Sequence, residues 1–344
     1  GRAASEYTVD ELLELYVKFH NEVENDDTLE GQARAVFKKL EDGDTELRAF
    51  WEDIVATTKS ALTGIYDQLH VSFDTDKSES FYEDKMEPIL KAGIKAGVFK
   101  EGEGGSLISE FSEESTMPPY LISKGDGATL YSTRDIAQMR YRLDEYKPQE
   151  ILIVTDIAQK LHFEQLAATC VQLGMDITGF ENVLVGRMRY ADKSMSTRKG
   201  NVLKLDEVLS EAVKKAEEKI AEHGDQIQSD NPQELAQMMG IGAVAYGVVS
   251  QNRKQDIVFD WDKFLSFEGN SAPYLQYTHA RARSVVEKAG GATQPQKISQ
   301  LSEKERLLLS TLLQFDRVLE EARKNHMPHI LANFLFELCQ DYNT

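Results

Sequence analysis

Cysteine is scarce in this sequence, whose 344 residues include only Cys170 and Cys339, far apart in the chain. Disulfide frameworks and cysteine-based zinc sites need more thiols at closer spacings, so we expect a reducing compartment and no bound structural metal. Long apolar runs are also missing, since no stretch of about 18 apolar residues could form a transmembrane helix. The first residues carry no apolar signal segment. These absences predict a cytoplasmic protein without a membrane partner.

Positive charge is in short supply, because 39 Lys and Arg residues face 58 Asp and Glu residues and the formal net charge is −19. An acidic chain repels the phosphate backbone, so we expect no DNA partner and only local contacts with any nucleic acid. The segment from Gly186 to Lys204 is the exception. It contains six basic residues and one acidic residue, a local excess of five positive charges.

Within this basic segment, Met195–Asn201 forms a polar, glycine-containing run downstream of the apolar residues Val183–Val185. Positive charge concentrated in an otherwise acidic protein indicates a ligand that carries phosphate groups. The alternative is a solvated surface loop. Neither the GxGxxG pattern nor the Walker pattern occurs in a suitable context elsewhere in the chain.

The first 70 residues show helical periodicity, with a long helix capped by Asp44 and a break at residues 25–27. From Val71, short β-rich runs alternate with helical patterns, which predicts an α/β fold with a parallel sheet and crossover helices. The predicted strands cover residues 128–132, 151–155 and 182–189, and the predicted helices between them cover 135–146 and 158–173. Residues 101–115 are interpreted as an exposed turn.

Ligands of such folds bind at the carboxyl ends of the strands. Residues 133–135, 156–159 and 187–199 each follow a predicted strand, so we expect all three segments along one edge of the sheet. The sequence after Leu205 is predicted to be a helical bundle, with one strand signal at 256–261. Its helices are predicted at 205–222, 232–251, 272–289, 302–325 and 328–341.

Several polar residues lie near the predicted strand ends. Tyr131 and Asp135 are four positions apart across a predicted strand-to-helix turn, where a phenol and a carboxylate can bind a cationic ligand. Asp135 and Glu79 also suit the start of a helix, where a carboxylate is favoured by capping and by the dipole. Gln159 and His162 follow the strand at 151–155, although a lone histidine is more often structural. Together with the basic loop, these residues indicate a site with a cation half and a polyphosphate half.

Tyr274, Tyr277 and Arg281 are spaced i, i+3 and i+7 and share one face of a predicted helix. If this face is exposed, it could stack unpaired bases and contact phosphate, as proteins that bind single-stranded RNA do. If it is buried, it is an aromatic contact between helices.

Four segments in this order resemble the cytosolic arginyl-tRNA synthetases, a family of class I aminoacyl-tRNA synthetases. They read LYSTRD from Leu130, QKLHF from Gln159, MSTRKG from Met195 and FEGNSAPYLQY from Phe267. The resemblance implies ATP-dependent attachment of L-arginine to its tRNA through arginyl-adenylate. It implies L-arginine, ATP and arginine tRNA as partners, Mg²⁺ with the ATP, and a monomer.

The resemblance also implies an order of domains. It predicts a partial Rossmann-type nucleotide-binding catalytic domain with a helical insertion, followed by an all-α helical-bundle anticodon-binding domain. The insertion would cover residues 1–70 and the second half of the Rossmann-type domain residues 71–222. A helical connector at 223–265 would lead to a truncated anticodon-binding domain at 266–344.

The residue roles follow from the same resemblance. Asp135 would bind the guanidinium group, since bidentate pairing with a carboxylate distinguishes arginine from lysine. The resemblance implies that arginine is bound by Glu79, Tyr131, Asp135 and Gln159, and that ATP is bound by His162, Gly186, Met195, Ser196 and Thr197. It implies that the catalytic residues, which stabilise phosphate charge, are Lys193, Arg198 and Lys199. It implies that tRNA is bound by Tyr274, Tyr277 and Arg281.

Two departures from the family pattern affect these expectations. Ser194 and Thr197 stand where the class I signature KMSKS has its lysines, so the positive charge must come from Lys193, Arg198 or Lys199. The second nucleotide motif, His-x-Gly-His, occurs nowhere in the chain and is expected before residue 1. We therefore expect this polypeptide not to activate arginine unaided. The alternative is a non-catalytic tRNA-binding module derived from a class I synthetase.

Overall fold

A computed structural model describes residues 3–125, 130–190, 204–222, 227, 229–291 and 300–344. The chain forms two compact units, and each is described by itself. The helical unit comprises Gly1–Ser72, Met188–Asn252 and Ile257–Thr344, and the α/β unit comprises Phe73–Arg187 and Arg253–Asp256. No helix among the described residues combines the length and apolar character needed to cross a membrane.

Three helices open the helical unit: α1 at Val9–Val23, α2 at Asp27–Glu41 and α3 at Thr45–Gln68. Thr8, Asp26 and Asp44 cap their N-termini by accepting backbone N–H hydrogen bonds. The predicted helices, the break at 25–27 and the Asp44 cap are confirmed. A second break occurs at residues 42–44, where Gly43 has a φ of +90° that other residues seldom adopt.

The α/β unit begins with a 3-10 turn at Glu79–Tyr82 and helix α4 at Glu83–Lys95. An antiparallel sheet follows, with β1 at Phe99–Glu101, β2 at Leu107–Ser109 and β3 at Tyr120–Ser123 in that order. The prediction of an exposed turn at 101–115 is therefore wrong at Glu101 and at Leu107–Ser109, which are strand residues. Ser109 is fully buried in this sheet, and strands of three residues are too short to give a clear periodic signal.

The remaining elements of the α/β unit are α5 at Tyr131–Tyr146, β4 at Ile151–Asp156, α6 at Lys160–Gln172 and β5 at Phe180–Val185. Strands β4 and β5 are parallel over their whole length, so α6 is a crossover helix as predicted. The predicted strand at 128–132 is wrong at Tyr131 and Ser132, which start α5, and residues 128–129 lie outside the described residues.

The predicted strand at 182–189 divides into two. Strand β5 ends at Val185, and β6 at Met188–Tyr190 belongs to the helical unit, where it pairs in parallel with β7 at Ile257–Phe259. The rest of the helical unit contains α7 at Leu205–Glu222, α8 at Pro232–Val249, the single turn α9 at Trp261–Phe264 and α10 at Ala272–Lys288. The last helices are α11 at Glu303–Leu312, α12 at Phe315–Asn325 and α13 at Pro328–Asn343.

The predicted C-terminal helical bundle is confirmed, except that the helix expected at 302–325 is two helices. No Gly or Pro marks the break between Leu312 and Phe315, which explains why the pattern did not predict it. The functional domain boundaries at 70, 222 and 265 stay predictions. By contacts, residues 188–190 and 204–222 belong to the helical unit.

Each unit has its own core. In the α/β unit, Ile136 and Met139 of α5 pack with Leu166 and Cys170 of α6 and with Ile122 of β3, and all five are almost inaccessible to solvent. In the helical unit, small residues of α7 and α8 bring these helices close together. A Cβ at Gly240 would collide with the backbone of Ala212, so only glycine fits there. The first core matters for function because it fixes the N-terminal ends of α5 and α6.

Candidate active site

The N-terminal parts of α5 and α6 meet through a hydrogen bond between Asp135, the fifth residue of α5, and His162. The Nε2 atom of His162 lies 2.7 Å from Oδ2 of Asp135, and both side chains are partly buried. The hydroxyl of buried Tyr120 lies 3.3 Å from Nδ1 and 3.4 Å from Nε2 of the same imidazole ring. Burial raises the pKa of Tyr120, and the charge of Asp135 adds to this effect. Asp135 therefore lies in a small polar network at the edge of the core.

Two hydroxyls determine where α5 begins. Ser132 donates to the carbonyl of Leu121 and Thr133 donates to the carbonyl of Ile122, each at 2.5 Å. Ser132 and Thr133 are buried, so these bonds join the first turn of α5 to β3 away from water. Because helical side chains at neighbouring positions point in fixed directions, this anchor also fixes the direction of Asp135.

Glu79 reaches the same turn through an ion pair. Its Oε2 atom accepts a hydrogen bond from Nη1 of Arg134 at 2.8 Å. Only 18% of the Arg134 side chain is exposed, whereas 59% of the Glu79 side chain is exposed. Tyr131, the first residue of α5, is 68% exposed, and its ring lies 5.9 Å from the Arg134 guanidinium carbon. Glu79 and Tyr131 therefore contact the first turn of α5 or lie in it, and Asp135 follows that turn directly in the helix.

The carboxyl ends of β4 and β5 carry a second ion pair. Nε of Arg187, just after β5, donates to Oδ2 of Asp156, the last residue of β4, at 2.8 Å. This hydrogen bond lowers the pKa of Asp156, and the Ala158 backbone N–H bound to the same side chain lowers it further. Gln159 lies in the 3-10 turn at Ile157–Gln159 that leads into α6, so it lies near this edge in sequence and in topology.

Gly186 has a structural reason to be glycine. Its N–H donates to the carbonyl of Arg253, and a Cβ at this position would overlap the carbonyl oxygen of Gln255. Asp256 accepts a hydrogen bond from the backbone N–H of Arg187, and Arg253 donates to the carbonyl of Leu184. The segment Arg253–Asp256 is thus hydrogen-bonded along the end of β5. ATP contact at Gly186 stays a prediction.

The predicted phosphate-binding residues lie outside the described residues. They are Lys193, Met195, Ser196, Thr197, Arg198 and Lys199. Lys204, the first described residue after this segment, pairs with Asp10 at 2.7 Å within the helical unit. In the part of the chain that the structure describes, no three His, Cys, Asp or Glu side chains are grouped to hold a metal.

The three residues of the helical face proposed for RNA contacts differ in their exposure to solvent. Tyr274 of α10 is half-buried, lies 5.6 Å from the ring of Phe336 and accepts a hydrogen bond from Asn343. Arg281 donates to the side-chain oxygen of Asn343 at 2.9 Å. Tyr277 is 55% exposed, and with Arg281 it lines a groove of about 790 Å³ in the helical unit. Tyr274 is thus a helix contact, while Tyr277 and Arg281 stay accessible.

Sequence reasoning missed two residues of the α5 network, Arg134 and Tyr120. Arg134 gives a signal in retrospect, because a cation in the first turn of a helix is disfavoured by the dipole and therefore needs a carboxylate partner. Tyr120 gives no such signal, since it lies 42 residues before His162 in the chain.

Comparison with known proteins agrees with these motifs. The family model of the class I tRNA synthetase (R) catalytic domain matches residues 1–261, and the DALR anticodon binding domain matches residues 275–344. The chain belongs to the class I arginyl-tRNA synthetase family. The resemblance and the fold class inferred from the sequence are thereby confirmed.

Three relatives are arginine–tRNA ligases of bacteria. The protein of Fusobacterium nucleatum is 35% identical over 347 residues, which cover 100% of this chain and 61% of that protein. The protein of Clostridium perfringens is 36% identical over 349 residues, which cover 99% of this chain and 60% of that protein. The protein of Alkaliphilus metalliredigens is 38% identical over 338 residues, which cover 97% of this chain and 59% of that protein. This synthetase chain therefore spans about 60% of the length of these relatives.

Two solved structures share the fold. Arginyl-tRNA synthetase from Plasmodium falciparum superposes with a TM-score of 0.79 at 20% identity, covering 92% of this chain and 55% of that one. The Thermus thermophilus arginyl-tRNA synthetase gives 0.77 at 23% identity, covering 95% and 60%. At these identities the likeness concerns the fold alone.

Proposed function

We propose that this chain is part of an arginine–tRNA ligase that activates L-arginine with ATP and transfers it to its tRNA. The observation that carries the proposal is the pair of carboxylates near the N-terminus of α5. Asp135 is held by His162, and Glu79 is held by Arg134. Two fixed carboxylates beside the exposed Tyr131 suit a ligand that carries both a guanidinium and an ammonium group.

In this proposal Asp135 binds the guanidinium group, and Glu79, Tyr131 and Gln159 complete the arginine half of the site. Each carboxylate oxygen can accept more than one hydrogen bond, so the bonds to His162 and Arg134 leave acceptor capacity for the ligand. The arginine carboxylate then attacks the α-phosphate of ATP and expels pyrophosphate. The terminal ribose hydroxyl of the tRNA next attacks the carbonyl carbon of the adenylate and releases AMP. Neither step needs a protein nucleophile, so the enzyme acts by positioning and by stabilising phosphate charge.

The ATP half is assigned to the basic segment. Lys193, Arg198 and Lys199 would neutralise phosphate charge, while Gly186, His162, Met195, Ser196 and Thr197 would contact the nucleotide. Mg²⁺ would enter with the ATP as part of the substrate. His-x-Gly-His does not occur in this sequence, so we propose that the chain alone does not activate arginine and that the full-length protein does. We further propose that this protein is a cytoplasmic monomer.

Substitution of Asp135→Asn in the full-length encoded protein tests the arginine assignment. An amide cannot pair bidentately with a guanidinium, so we expect the KM for arginine in ATP–pyrophosphate exchange to rise by about 100-fold. The KM for ATP should change by less than about threefold, since a carboxylate in the arginine half makes no phosphate contact. Asp144→Asn is the matched control, because Asp144 lies on the exposed part of the same helix.

The outcomes of this experiment are distinct. Loss of arginine use in Asp135→Asn with intact ATP kinetics supports the proposal, and unchanged arginine kinetics contradict the role of Asp135. A full-length protein that binds tRNA but activates neither arginine nor another amino acid would favour the non-catalytic tRNA-binding module.

We propose Tyr277 and Arg281 as accessible tRNA contacts, with Tyr274 supporting them from within the bundle. Tyr277→Ala in the full-length protein should weaken arginine tRNA binding by about tenfold, the value of one lost base stack. Tyr277→Phe keeps the aromatic face and should bind normally. Equal binding by Tyr277→Ala and wild type in a filter-binding assay would contradict this role, while ATP–pyrophosphate exchange reports separately on arginine activation.

A further inference from the structure

The ammonium group of Lys77 lies in a cage of aromatic side chains in the α/β unit. Its Nζ atom donates hydrogen bonds to the hydroxyls of Tyr141 and Tyr146, each at 2.6 Å. The same atom lies 5.1, 4.6 and 4.9 Å from the ring centroids of Phe81, Tyr141 and Tyr146. Aromatic faces attract cations at these distances, so five contacts hold one ammonium group.

The rings of the cage also pack on one another. Phe81 and Tyr82 each make an edge contact with Tyr141, with centroids 5.1 and 5.7 Å apart. Tyr141 makes a third edge contact with Tyr146 at 5.9 Å. Edge-to-face pairs of this kind add to the area that the rings bury. The residues before and within the 3-10 turn at Glu79–Tyr82 are therefore bound to the C-terminal half of α5 by hydrogen bonds and ring contacts.

The charge of Lys77 strengthens its hydrogen bonds to the two tyrosines. The hydrogen bond to Tyr141, followed by that to Tyr146, raises the pKa of Lys77, and the bond to Lys77 lowers the pKa of Tyr146. At neutral pH Lys77 is therefore a cation, and it donates to the two tyrosine oxygens as a charged group. A charged donor on a neutral acceptor makes a stronger hydrogen bond than two neutral groups do.

Glu79 lies two residues after Lys77 and contacts the opposite half of α5. Its partner Arg134 is seven residues before Tyr141, so the two anchors lie on one face of the helix, two turns apart. Nε of Arg134 is buried and has no hydrogen-bond partner among the described residues. This guanidinium therefore depends on Glu79, because an ionic group that is mostly buried is costly when it loses its partner.

The free part of Glu79 faces solvent. Oε2 is occupied by Arg134, whereas Oε1 has no hydrogen-bond partner among the described residues, and the side chain is mostly exposed. One carboxylate oxygen is thus fixed and the other remains available to a ligand, beside the helical turn that carries Asp135. The position of that oxygen depends on the turn at Glu79–Tyr82. Lys77 binds the N-terminal side of this turn to α5.

We propose that Lys77 is a positioning residue for the amino-acid substrate, and that its aromatic cage sets the place of Glu79 relative to Asp135. This inference rests on the proposed arginine–tRNA ligase function and deepens it. Lys77 itself does not touch the substrate. Without the cage contacts, the turn would move relative to α5, and Glu79 could no longer hold Arg134 and the ligand together.

Lys77→Met in the full-length protein tests this inference, because methionine keeps the chain length and removes the cation. We expect the KM for arginine to rise between about 10- and 100-fold, as a displaced binding group does. The KM for ATP and kcat should each change by less than about threefold. Lys77→Arg keeps a cation and its donors, so it should restore the arginine KM to within about threefold of wild type.

Lys91→Met is the matched control, since it removes an exposed lysine of α4 in the same unit, where Lys91 pairs with Glu87 at 2.6 Å. It should leave all kinetic constants unchanged. Hydrogen–deuterium exchange on the chain itself gives a readout independent of activity. Lys77→Met should speed exchange of amides at residues 75–82 while those of β4 and α6 stay as protected as in wild type.

The outcomes separate this inference from the proposed function. A wild-type protein that does not activate arginine contradicts the function, and the inference with it. A wild-type protein that activates arginine, together with a Lys77→Met variant of normal arginine KM, overturns the positioning role alone. An equal rise in the KM values for arginine and ATP also overturns the positioning role, and so does faster amide hydrogen exchange across the whole α/β unit. Both results indicate a general loss of structure.

Discussion

The imidazole of His162 binds the carboxylate of Asp135, with 2.7 Å between Nε2 and Oδ2. This bond joins the N-terminal parts of α6 and α5, which lie in the QKLHF and LYSTRD segments of the sequence. The family resemblance implies an ATP contact for His162 and an arginine contact for Asp135. The hydrogen bond between them makes His162 a partner of the residue that we propose for arginine binding.

We therefore expect His162→Ala to affect arginine more than ATP. Removing the partner of a partly buried carboxylate costs about 1.5–3 kcal/mol, or roughly 10- to 150-fold in an affinity that depends on its orientation. The KM for arginine should rise by this order in the full-length protein, and the KM for ATP by much less. A rise confined to the KM for ATP would instead support the nucleotide role.

A double-mutant cycle with Asp135→Asn supplies the control for His162. If His162 acts through Asp135, the double variant should be little worse than Asp135→Asn alone, because the two side chains form one unit. Additive effects on the arginine KM would show that His162 acts on its own.

Gly186→Ala should destabilise the α/β unit. The added methyl group overlaps the carbonyl of Gln255, so the end of β5 or the segment Arg253–Asp256 must move. Such overpacking costs roughly 1–3 kcal/mol, which urea unfolding would detect. Gly64→Ala is the matched control, because Gly64 lies within α3 with no atom near its Cβ position. That change should stabilise the helix by about 0.5–1 kcal/mol. Equal unfolding of Gly186→Ala and wild type would contradict the close approach.

The sequence predicted the elements whose patterns are long and regular. Helices α1–α3, the β4–α6–β5 crossover and most of the C-terminal helices have periodic apolar residues, and the cap of α3 at Asp44 follows from the residue type at its start. The three-residue strands β1 and β2 have no such pattern. The start of α5 was misplaced because Ser132 and Thr133 bind the carbonyls of β3, a contact over about ten residues that local propensity does not contain.

The candidate site shows the same division. Glu79, Asp135 and His162 were identifiable as polar residues near predicted strand ends. The ion pair between Glu79 and Arg134, which are 55 positions apart, could not be identified from the sequence. The same holds for the contacts of Lys77 with Tyr141 and Tyr146, which are 64 and 69 positions away. Such contacts depend on how α4, α5 and the turn before them pack, and a single sequence carries no direct signal of that packing.

Cys170 should resist alkylation in the folded chain. It is fully buried in the core of the α/β unit, and burial raises its pKa to about 12. The thiolate is the reactive form, so almost none is available at pH 8. Mass spectrometry after iodoacetamide treatment should find Cys170 unmodified until urea unfolds the unit. Cys339 is the internal comparison, since it is only half-buried and its pKa is raised less. Rapid native labelling of Cys170 would contradict its place in the core.

Removing Arg187 should raise the pKa of Asp156. The Arg187 hydrogen bond is the largest cause that holds this pKa below its ordinary value of 3.8. We therefore expect Arg187→Met to move the pKa of Asp156 upward, though not fully to 3.8, because the backbone N–H of Ala158 still binds the carboxylate. Carbon-detected NMR titration of the side-chain carboxyl measures both values. Asp176 is the control, since Thr178 and not an arginine lowers its pKa, and it should titrate identically in both proteins.

The sign of the pH dependence follows from this direction. Because the pKa of Asp156 is lower in the folded than in the unfolded chain, its contribution to stability is present above pH 3.8 and is lost as the pH falls through the folded value. The Arg187 side chain is 64% exposed and the Asp156 side chain 35% exposed, so the contribution is small and salt should reduce it. Wild type and Arg187→Met should therefore differ most above pH 4 at low salt and converge under strong acid. A pKa of Asp156 that stays equally low without Arg187 would show that the backbone N–H, and not the ion pair, holds this carboxylate at the end of β4.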